Sequence, residues 1–353
     1  MAFIAPNRTK ERERTMNLNL ISKLTTRRQM LRATTAFAGG TLLSGYVPAI
    51  LLVKTEAAAR LQGAQQPSPA SSDMVARYRA EMATLPLQTL KLRNNLHVLS
   101  GPGGNVIVLN GPDGKLVVDT FVAPAWSKLK QTLDGLSEAP LKFVINTHWH
   151  FDHVDNNAAL HDAGGTILAH ENTRKRLAAP QEIAVFGMHF PASPANALPQ
   201  QTFKDTLQIY FNNEELALGY IPPAHTDTDI YVRFQNADVL HMGDTYFSGS
   251  YPFIDASTGG NINGMIAAAD KGIGFATSDT KIVPGHGPVG DKTSLTKWRD
   301  MLSVVRDRVQ KQKTAGKTLQ EVIDAKPTGD LDATWGSGRF KPDFFVTLVY
   351  TTL

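Results

Sequence analysis

From residue 88 to 119 the apolar positions fall in short alternating runs broken by polar and glycine-rich turns, the pattern a partly buried strand requires. Strands are predicted at residues 90–92, 96–99, 105–109 and 115–119. Turns at Asn94-Asn95, Gly101-Pro102-Gly103-Gly104 and Pro112-Asp113-Gly114 join them into an antiparallel meander. A weakly amphipathic helix precedes the meander at 73–84, and a covering helix follows at 126–136. The pattern then changes to alternating strand and helix. A β-branched and aromatic strand at 141–146 leads to a helix at 154–163 stopped by Gly164-Gly165, a strand at 166–169 and a short helix at 172–178. Residues 180–201 have no period, four prolines (Pro180, Pro191, Pro194, Pro199) and the large apolar side chains Val185, Phe186, Met188 and Phe190. So long a loop with that content predicts a wall or lid over a functional cleft. Strands resume at 206–211, 216–221, 229–234, 239–242 and 281–283. Helices are expected at 262–271, 295–313 and 319–325, followed by an apolar segment at 344–350. No sequence repeat is evident, but the order of elements suggests two similar halves. The expected fold is α/β, two sheets packed face to face with helices outside.

Composition changes this picture mainly at the amino-terminal end. The 353 residues, 42% hydrophobic, suffice for one large core. A formal charge of +4 points toward nucleic acid until its distribution is seen. Nine of the 36 Lys and Arg and three of the 32 Asp and Glu precede Arg60, which leaves 27 basic against 29 acidic residues, a net of −2. The basic excess belongs to the leader, so no nucleic-acid partner is expected. That leader reads Thr25-Thr26-Arg27-Arg28-Gln29-Met30-Leu31, then a moderately apolar run over 33–53, then Ala57-Ala58-Ala59. It predicts a signal peptide over 1–59 whose paired arginines resemble the twin-arginine type, with either Met1 or Met16 as its start. Gly39, Gly40, Gly45 and Pro48 make the run a poor permanent anchor, so a periplasmic protein without stable membrane insertion is expected. A Gln-, Pro-, Ser- and Ala-rich linker follows at 60–72 and a globular domain at 73–353, with its core at about 90–298 and a helical extension at 299–353. The absence of cysteine removes disulfides, thiolate ligands and thiol nucleophiles from consideration.

Candidate chemistry concentrates in Thr147-His148-Trp149-His150-Phe151-Asp152-His153, which packs four potential metal ligands into six residues. The strand before it delivers them at its carboxyl end, where open α/β sheets place their sites. Two histidines two residues apart in an extended turn point the same way, and Asp152 and His153 turn toward a neighbouring point. One stretch can therefore serve two ions.

The pattern His-x-His-x-Asp-His at 148–153 resembles the signature of the metallo-β-lactamase superfamily of hydrolases. The rest of that pattern follows in order: His225 in Pro-Pro-Ala-His-Thr-Asp, Asp244 in His-Met-Gly-Asp-Thr and His286 in Pro-Gly-His-Gly-Pro. Val117-Val118-Asp119-Thr120 resembles its first motif. The resemblance, over about 90–298, implies a four-layer αββα sandwich with two zinc ions. His148, His150 and His225 would hold one, Asp152, His153 and His286 the other, and Asp244 would bridge them. It also implies a hydroxide nucleophile between the ions, one ion polarising a carbonyl and the other steadying the leaving group. Asp152 and Asp244 are the expected catalytic carboxylates, Asp152 also as a proton acceptor. Asp119 is expected to brace the loop. Iron-dependent relatives carry a glutamate where His150 stands, which favours zinc here.

Of the remaining histidines, His97, His161, His170 and His241 are expected to be structural, and His189 in the proposed lid stays open. Trp149 and Phe151 are read as packing or cleft-lining residues, and Trp335, Phe340 and Phe344 as core, with a substrate wall as the alternative use. The expected function is a periplasmic binuclear zinc hydrolase opening an ester, lactone, thioester or amide of a small molecule. The alternatives are a β-lactamase and an exported metal- or ligand-binding protein without turnover. Glyoxalase II-like thioesterases add a longer basic helical domain, and tRNA-processing relatives a basic arm. Lactamases of the family usually carry cysteine or serine where Asp244 stands, and the cysteine type a lysine where Phe247 stands. Tyr246, Ser248, Ser250 and Tyr251 supply only hydroxyls there, leaving Lys271 and Arg339 as cations that could reach in. Without a charge-assisted hydrogen bond of ~1.5–3 kcal/mol, β-lactams should be roughly 10- to 150-fold poorer than a neutral lactone or aryl ester.

Overall fold

The computed structural model describes residues 69–353, with side chains from residue 74 onward. The expected signal peptide, and the linker up to residue 68, lie outside the described residues. Helix α1 (Pro69–Ala83) begins inside the expected linker, with proline at the start, where its missing N–H costs no helical hydrogen bond.

Strands β1 (Gln88–Arg93), β2 (Leu96–Gly101), β3 (Gly104–Gly111) and β4 (Gly114–Val118) form the predicted meander. Parallel strands β5 (Leu141–Ile145), β6 (Thr166–His170) and β9 (Gln201–Phe203) extend it into a seven-stranded sheet of order β1-β2-β3-β4-β5-β6-β9. The second sheet runs β10 (Thr206–Phe211), β11 (Glu214–Tyr220), β12 (Ile230–Phe234), β13 (Val239–His241) and β14 (Lys281–Val283). Its pairings are antiparallel except β13 with β14.

Alternation along the strands explains the layers. On β3, Ile107 and Leu109 join an inter-sheet core with Leu216, Leu218, Val232 and Phe234, while Val106 and Val108 face the helical side. A strand buried on both faces gains about 1.5–3 kcal/mol per fully buried aliphatic side chain, which favours the sandwich over a solvated sheet. Helix α2 (Trp126–Leu136) buries Leu129 and Leu133 against the first sheet's outer face. Helices α6 (Ile262–Phe275), α7 (Lys292–Thr314), α8 (Leu319–Asp324) and α10 (Pro342–Thr351) pack on one another beside the second sheet, with the short α9 (Asp332–Trp335) preceding α10 in the chain. The expected four-layer arrangement is the observed one.

Two expectations need correction. The helix predicted over 154–163 is two pieces, α3 (Phe151–Val154) and α4 (Asn157–Asp162). Asn156 breaks it because its amide donates to the carbonyls of Thr120, Phe121 and Val122 at 2.6, 3.2 and 3.1 Å, pulling the backbone out of helical register. The segment 180–201 is likewise structured: β7 (Gln181–Ile183) and β8 (Met188–Phe190) form a hairpin that turns at Gly187, φ 58°. A third small piece, helix α5 (Glu171–Leu177), sits as predicted after β6.

Candidate metal centre

Two parallel strand pairs aim their carboxyl ends at one point. In the first, Val118 pairs with Ile145, and the Asp119 N–H donates to the Ile145 carbonyl at 2.8 Å. Asp119 adopts φ 65°, a left-handed conformation that costs a non-glycine residue energy. Three hydrogen bonds hold it there: Thr147 N–H at 2.8 Å on Oδ1, and Thr147 Oγ1 at 2.7 Å and His153 Nδ1 at 2.8 Å on Oδ2. Asp119 thus braces the ligand loop, as expected. In the second pair, the Met242 N–H donates to the Val283 carbonyl at 3.0 Å and the Gly285 N–H to the Gly243 carbonyl at 2.6 Å, which sets Asp244 beside His286. A Cβ at Gly285 would overlap Asp244 Oδ1, so only glycine lets the two loops meet. His225 follows β11, its backbone N–H held by the buried carboxylate of Asp229 at 2.8 Å.

Four histidines each commit one ring nitrogen away from the centre. His148 Nδ1 lies 3.0 Å from Thr147 Oγ1, His150 Nε2 3.1 Å from Asp255 Oδ2, His153 Nδ1 on Asp119, and His225 Nδ1 3.0 Å from the Phe253 carbonyl. Their other nitrogens converge. His150 Nδ1 and His225 Nε2 are 2.8 Å apart, and His153 Nε2 is 3.4 Å from His286 Nε2. Asp244 touches both groups, with Oδ1 3.2 Å from His153 Nε2 and Oδ2 3.5 Å from His225 Nε2, 3.3 Å from His286 Nε2 and 3.9 Å from His148 Nε2. Asp152 Oδ2 lies 3.3 Å from His286 Nε2. The donor atoms of His148, His150, His225 and Asp244, and those of Asp152, His153 and His286, each fall within 4.8 Å of one another. All seven predicted ligands are therefore brought together, in the predicted groups. His148 Nε2 and Asp244 Oδ1 are buried without a hydrogen-bond partner, a cost of about 1–3 kcal/mol each that a cation between them would relieve. The donor set of imidazole nitrogens and carboxylate oxygens fits a divalent transition metal.

Electrostatics differ between the groups. Burial pushes His148 well below the ordinary histidine range and His225 to about 4, so both are neutral near pH 7. At His286, burial acts downward, but the charge of Asp244 and hydrogen bonds to Asp152 and Asp244 outweigh it and raise the imidazole to about 9. His153 is also raised, burial being overcome by Asp244, Asp152 and Asp119. Asp244 is held well below the carboxylate range: burial opposes this, and His286, His153 and His148 win. Two carboxylates, Asp152 and Asp244, in so small a volume make the site cation-seeking.

The sequence profile of the metallo-beta-lactamase superfamily matches residues 99–308, more than half of the chain. The chain belongs to the metallo-beta-lactamase superfamily. A probable metallo-hydrolase of Methanocaldococcus jannaschii is 25% identical over 189 residues, 51% of this chain and 86% of that protein. A hydroxyacylglutathione hydrolase of Polaromonas is 26% identical over 159 residues, 44% of this chain and 52% of that one. Two solved structures share the fold at low identity. A metallo-beta-lactamase from Pontibacter korlensis, 17% identical with a TM-score of 0.52, aligns over 62% of this chain and 99% of that one. A sec-alkylsulfatase from Pseudomonas, 16% identical with a TM-score of 0.59, aligns over 75% and 50%. Superfamily membership accounts for the sandwich and for the order of the ligand motifs.

The cleft above the ligands has a volume of about 240 Å³, with His150, Asp152, Asp244 and His286 on its floor. The hairpin lines it through Ile183, Phe186 and Met188, as the expected wall. Phe247 stacks on His286, ring centroids 5.1 Å apart and planes 15° from parallel, which leaves no ammonium at that position. Lys271 does not reach in: it donates to the Tyr220 carbonyl and sits over Tyr231. Arg339 does, together with Phe340 beside it, whose ring both packs against the core and forms part of the cleft wall. Phe151 also lines the cleft, whereas Trp149 is buried against His150 and Phe190. His189 faces Glu182 at 3.8 Å and does not line the cleft. His161 Nδ1 meets the Gly165 carbonyl, His170 Nε2 the Lys204 carbonyl, and His97 lies on β2, all structural as expected. His241 is also structural in its Nδ1 contact to the Val283 carbonyl, but its Nε2 lies 3.6 Å from Asp119 and so backs the brace. Asp255 and the Phe253 carbonyl were not legible as site groups, because each meets its histidine only through tertiary packing.

Proposed function

We propose that this superfamily member is an exported binuclear zinc hydrolase that cleaves an ester, lactone, thioester or amide bond of a small molecule. The observation that carries the reading is the arrangement of ring nitrogens: four histidines are each anchored through one nitrogen and present the other to a shared volume with Asp152, Asp244 and His286. His148 Nε2, His150 Nδ1 and His225 Nε2 would hold one ion, Asp152, His153 Nε2 and His286 Nε2 the other, with Asp244 between. Bound there, the ions would supply Lewis acidity toward an acyl oxygen and acidify a water molecule to near-neutral pKa. The chain's own residues supply the rest. Asp152, at the cleft floor, is placed to take a proton from the incoming water and return it to the departing group, so that water is added across the acyl bond without net charge left behind. The Phe247, Phe253 and Phe340 rings exclude bulk water from the floor and strengthen each polar contact there. A relative named as a probable metallo-hydrolase supports hydrolysis, and one named as a hydroxyacylglutathione hydrolase supports acyl cleavage.

The test is turnover by one zinc-loaded preparation of a carbapenem, a cephalosporin, a neutral lactone and an aryl ester. The expected order places the lactone or ester above both antibiotics. An antibiotic best by tenfold would replace this reading with the lactamase one, and no zinc-dependent turnover of any acyl compound would favour the non-catalytic binder. Export rests on Arg27-Arg28 and the apolar run after them. Arg27→Lys with Arg28→Lys should hold the precursor in the cytoplasm, and undiminished periplasmic accumulation of that variant would contradict the twin-arginine route.

A further inference from the structure

Part of the cleft wall comes from segments that the superfamily profile does not reach: Tyr78 and Met82 of α1 lie before residue 99, and Arg339 and Phe340 after residue 308. These segments are fastened to the hairpin by an aromatic cluster. Phe186 sits 5.1 Å from Phe253, 5.5 Å from Phe344 and 6.5 Å from Phe340, and Phe340 and Phe344 are 5.8 Å apart. The wall is therefore largely apolar and aromatic, suited to a flat or chain-like hydrocarbon body. A single fixed cation interrupts it. The Arg339 guanidinium lies 4.4 Å over the Tyr78 ring, and among the described residues no carboxylate pairs with it. Arg79, also on α1, is by contrast already spent on Asp155 through two 2.6 Å hydrogen bonds. Stacking on Tyr78 fixes the plane of the Arg339 fork and leaves its N–H edges to an oxyanion. It also places the cation on Tyr78 rather than on Phe247, the ring that covers His286.

We propose that Arg339 determines specificity by holding one anionic group of the substrate, a carboxylate, sulfate or sulfonate, carried on an aryl or acyl body at a distance from the bond that is cut. The substrate class is then an anionic amphiphile rather than the neutral compound that Phe247 alone suggests. The word substrate rests on the hydrolase reading above; the binding of the anionic amphiphile does not.

Two measurements test it on the metal-loaded full chain. The first compares binding of 1-anilinonaphthalene-8-sulfonate with that of its uncharged counterpart N-phenyl-1-naphthylamine, by fluorescence. Arg339→Ala should weaken the sulfonate about tenfold and the neutral probe less than about twofold, Arg339→Lys should restore part of the difference, and Phe340→Ala should weaken both probes. The second compares kcat/KM on two aryl esters that differ only in a terminal carboxylate: Arg339→Ala should lower the value for the anionic ester about tenfold, mainly through KM, and that for the neutral one less than about twofold. If neither ester is turned over but sulfonate binding depends on Arg339, the hydrolase reading fails and the anion site stands. If both esters are turned over and neither sulfonate binding nor the ester preference responds to Arg339, the anion site is wrong and the hydrolase stands.

Discussion

Asp255 decides which nitrogen of His150 faces the metal cleft. Its Oδ2 accepts from His150 Nε2 at 3.1 Å, which leaves Nδ1 as the free donor, and Ser257 and Thr258 hold the carboxylate in turn. Burial works to raise the Asp255 carboxyl, but His150, Ser257 and Thr258 hold it at about 2, so it is ionised across the neutral range. Asp255→Ala should cost roughly 10- to 100-fold in zinc affinity at the three-histidine group while near-native circular dichroism is kept, and unchanged affinity in a chelator competition would contradict the role given to it. The titration states of the two groups predict a second difference. His148 and His225 are already neutral at pH 7, whereas His286, at about 9, carries a proton that an ion must displace. Because its folded pKa is raised, the stability His286 gives the metal-free protein is present below the usual histidine range and is lost as pH rises through about 9. Zinc binding to the Asp152 group should accordingly release protons at pH 7 and tighten with pH up to about 9, while binding to the three-histidine group stays flat over the same range. Calorimetry in buffers of different ionisation enthalpy reads this directly, and proton-neutral binding of both ions would refute it. The ligands themselves were legible because four of them are neighbours in sequence and His286 is flanked by glycines; Asp255, 105 residues from His150, carries no local signal.

Helix α3 is one turn long because Asn156 stops it. The Asn156 side chain is almost fully buried and satisfies the carbonyls of Thr120, Phe121 and Val122, just past the Asp119 brace, while its backbone N–H donates to Thr120 Oγ1. The break turns the chain after His153 and ties the two ligand-bearing loops together. Asn156→Ala removes the amide donor of the Thr120 and Phe121 carbonyls, Val122 keeping its bond from the Ala125 N–H, and should destabilise the fold by about 2–4 kcal/mol, read as a lower urea midpoint with an unchanged slope. A loss below about 0.5 kcal/mol would show that the break is set elsewhere. This also explains why the sequence reading carried one helix through 154–163: the apolar period continues across Asn156, and the carbonyls that interrupt it come from a segment more than thirty residues earlier. The 180–201 hairpin was missed for a related reason. Its strands are three residues each, too short for a period, and the only local cue is Gly187. The long strands and the covering helices α2 and α7 were predicted because a full period lies within each.

At the scale of the molecule, the fold brings two sheets together so that parallel pairs β4/β5 and β13/β14 open toward the same edge. One half contributes Asp119 and His148 to His153, the other His225, Asp244 and His286, and neither half alone holds both groups of ligands. The sandwich core between the sheets is what fixes their separation, and hence the 3.2–3.9 Å spacing of Asp244 from the histidines around it. This division was visible in the order of strands and helices and the wall over 180–201 in its apolar content, whereas the part of α1 in the cleft was not, because it meets the hairpin and the segment around Phe340 only in three dimensions. Metal should therefore stabilise the whole domain by linkage, and the centre should fill as a pair of sites around one shared carboxylate. Elemental analysis of the metal-replete, mildly dialysed protein tests that claim most directly. The account predicts close to two zinc ions per chain, falling to one or fewer in the Asp152→Ala and His286→Ala variants; a ceiling of one ion, unaffected by either substitution, would contradict it.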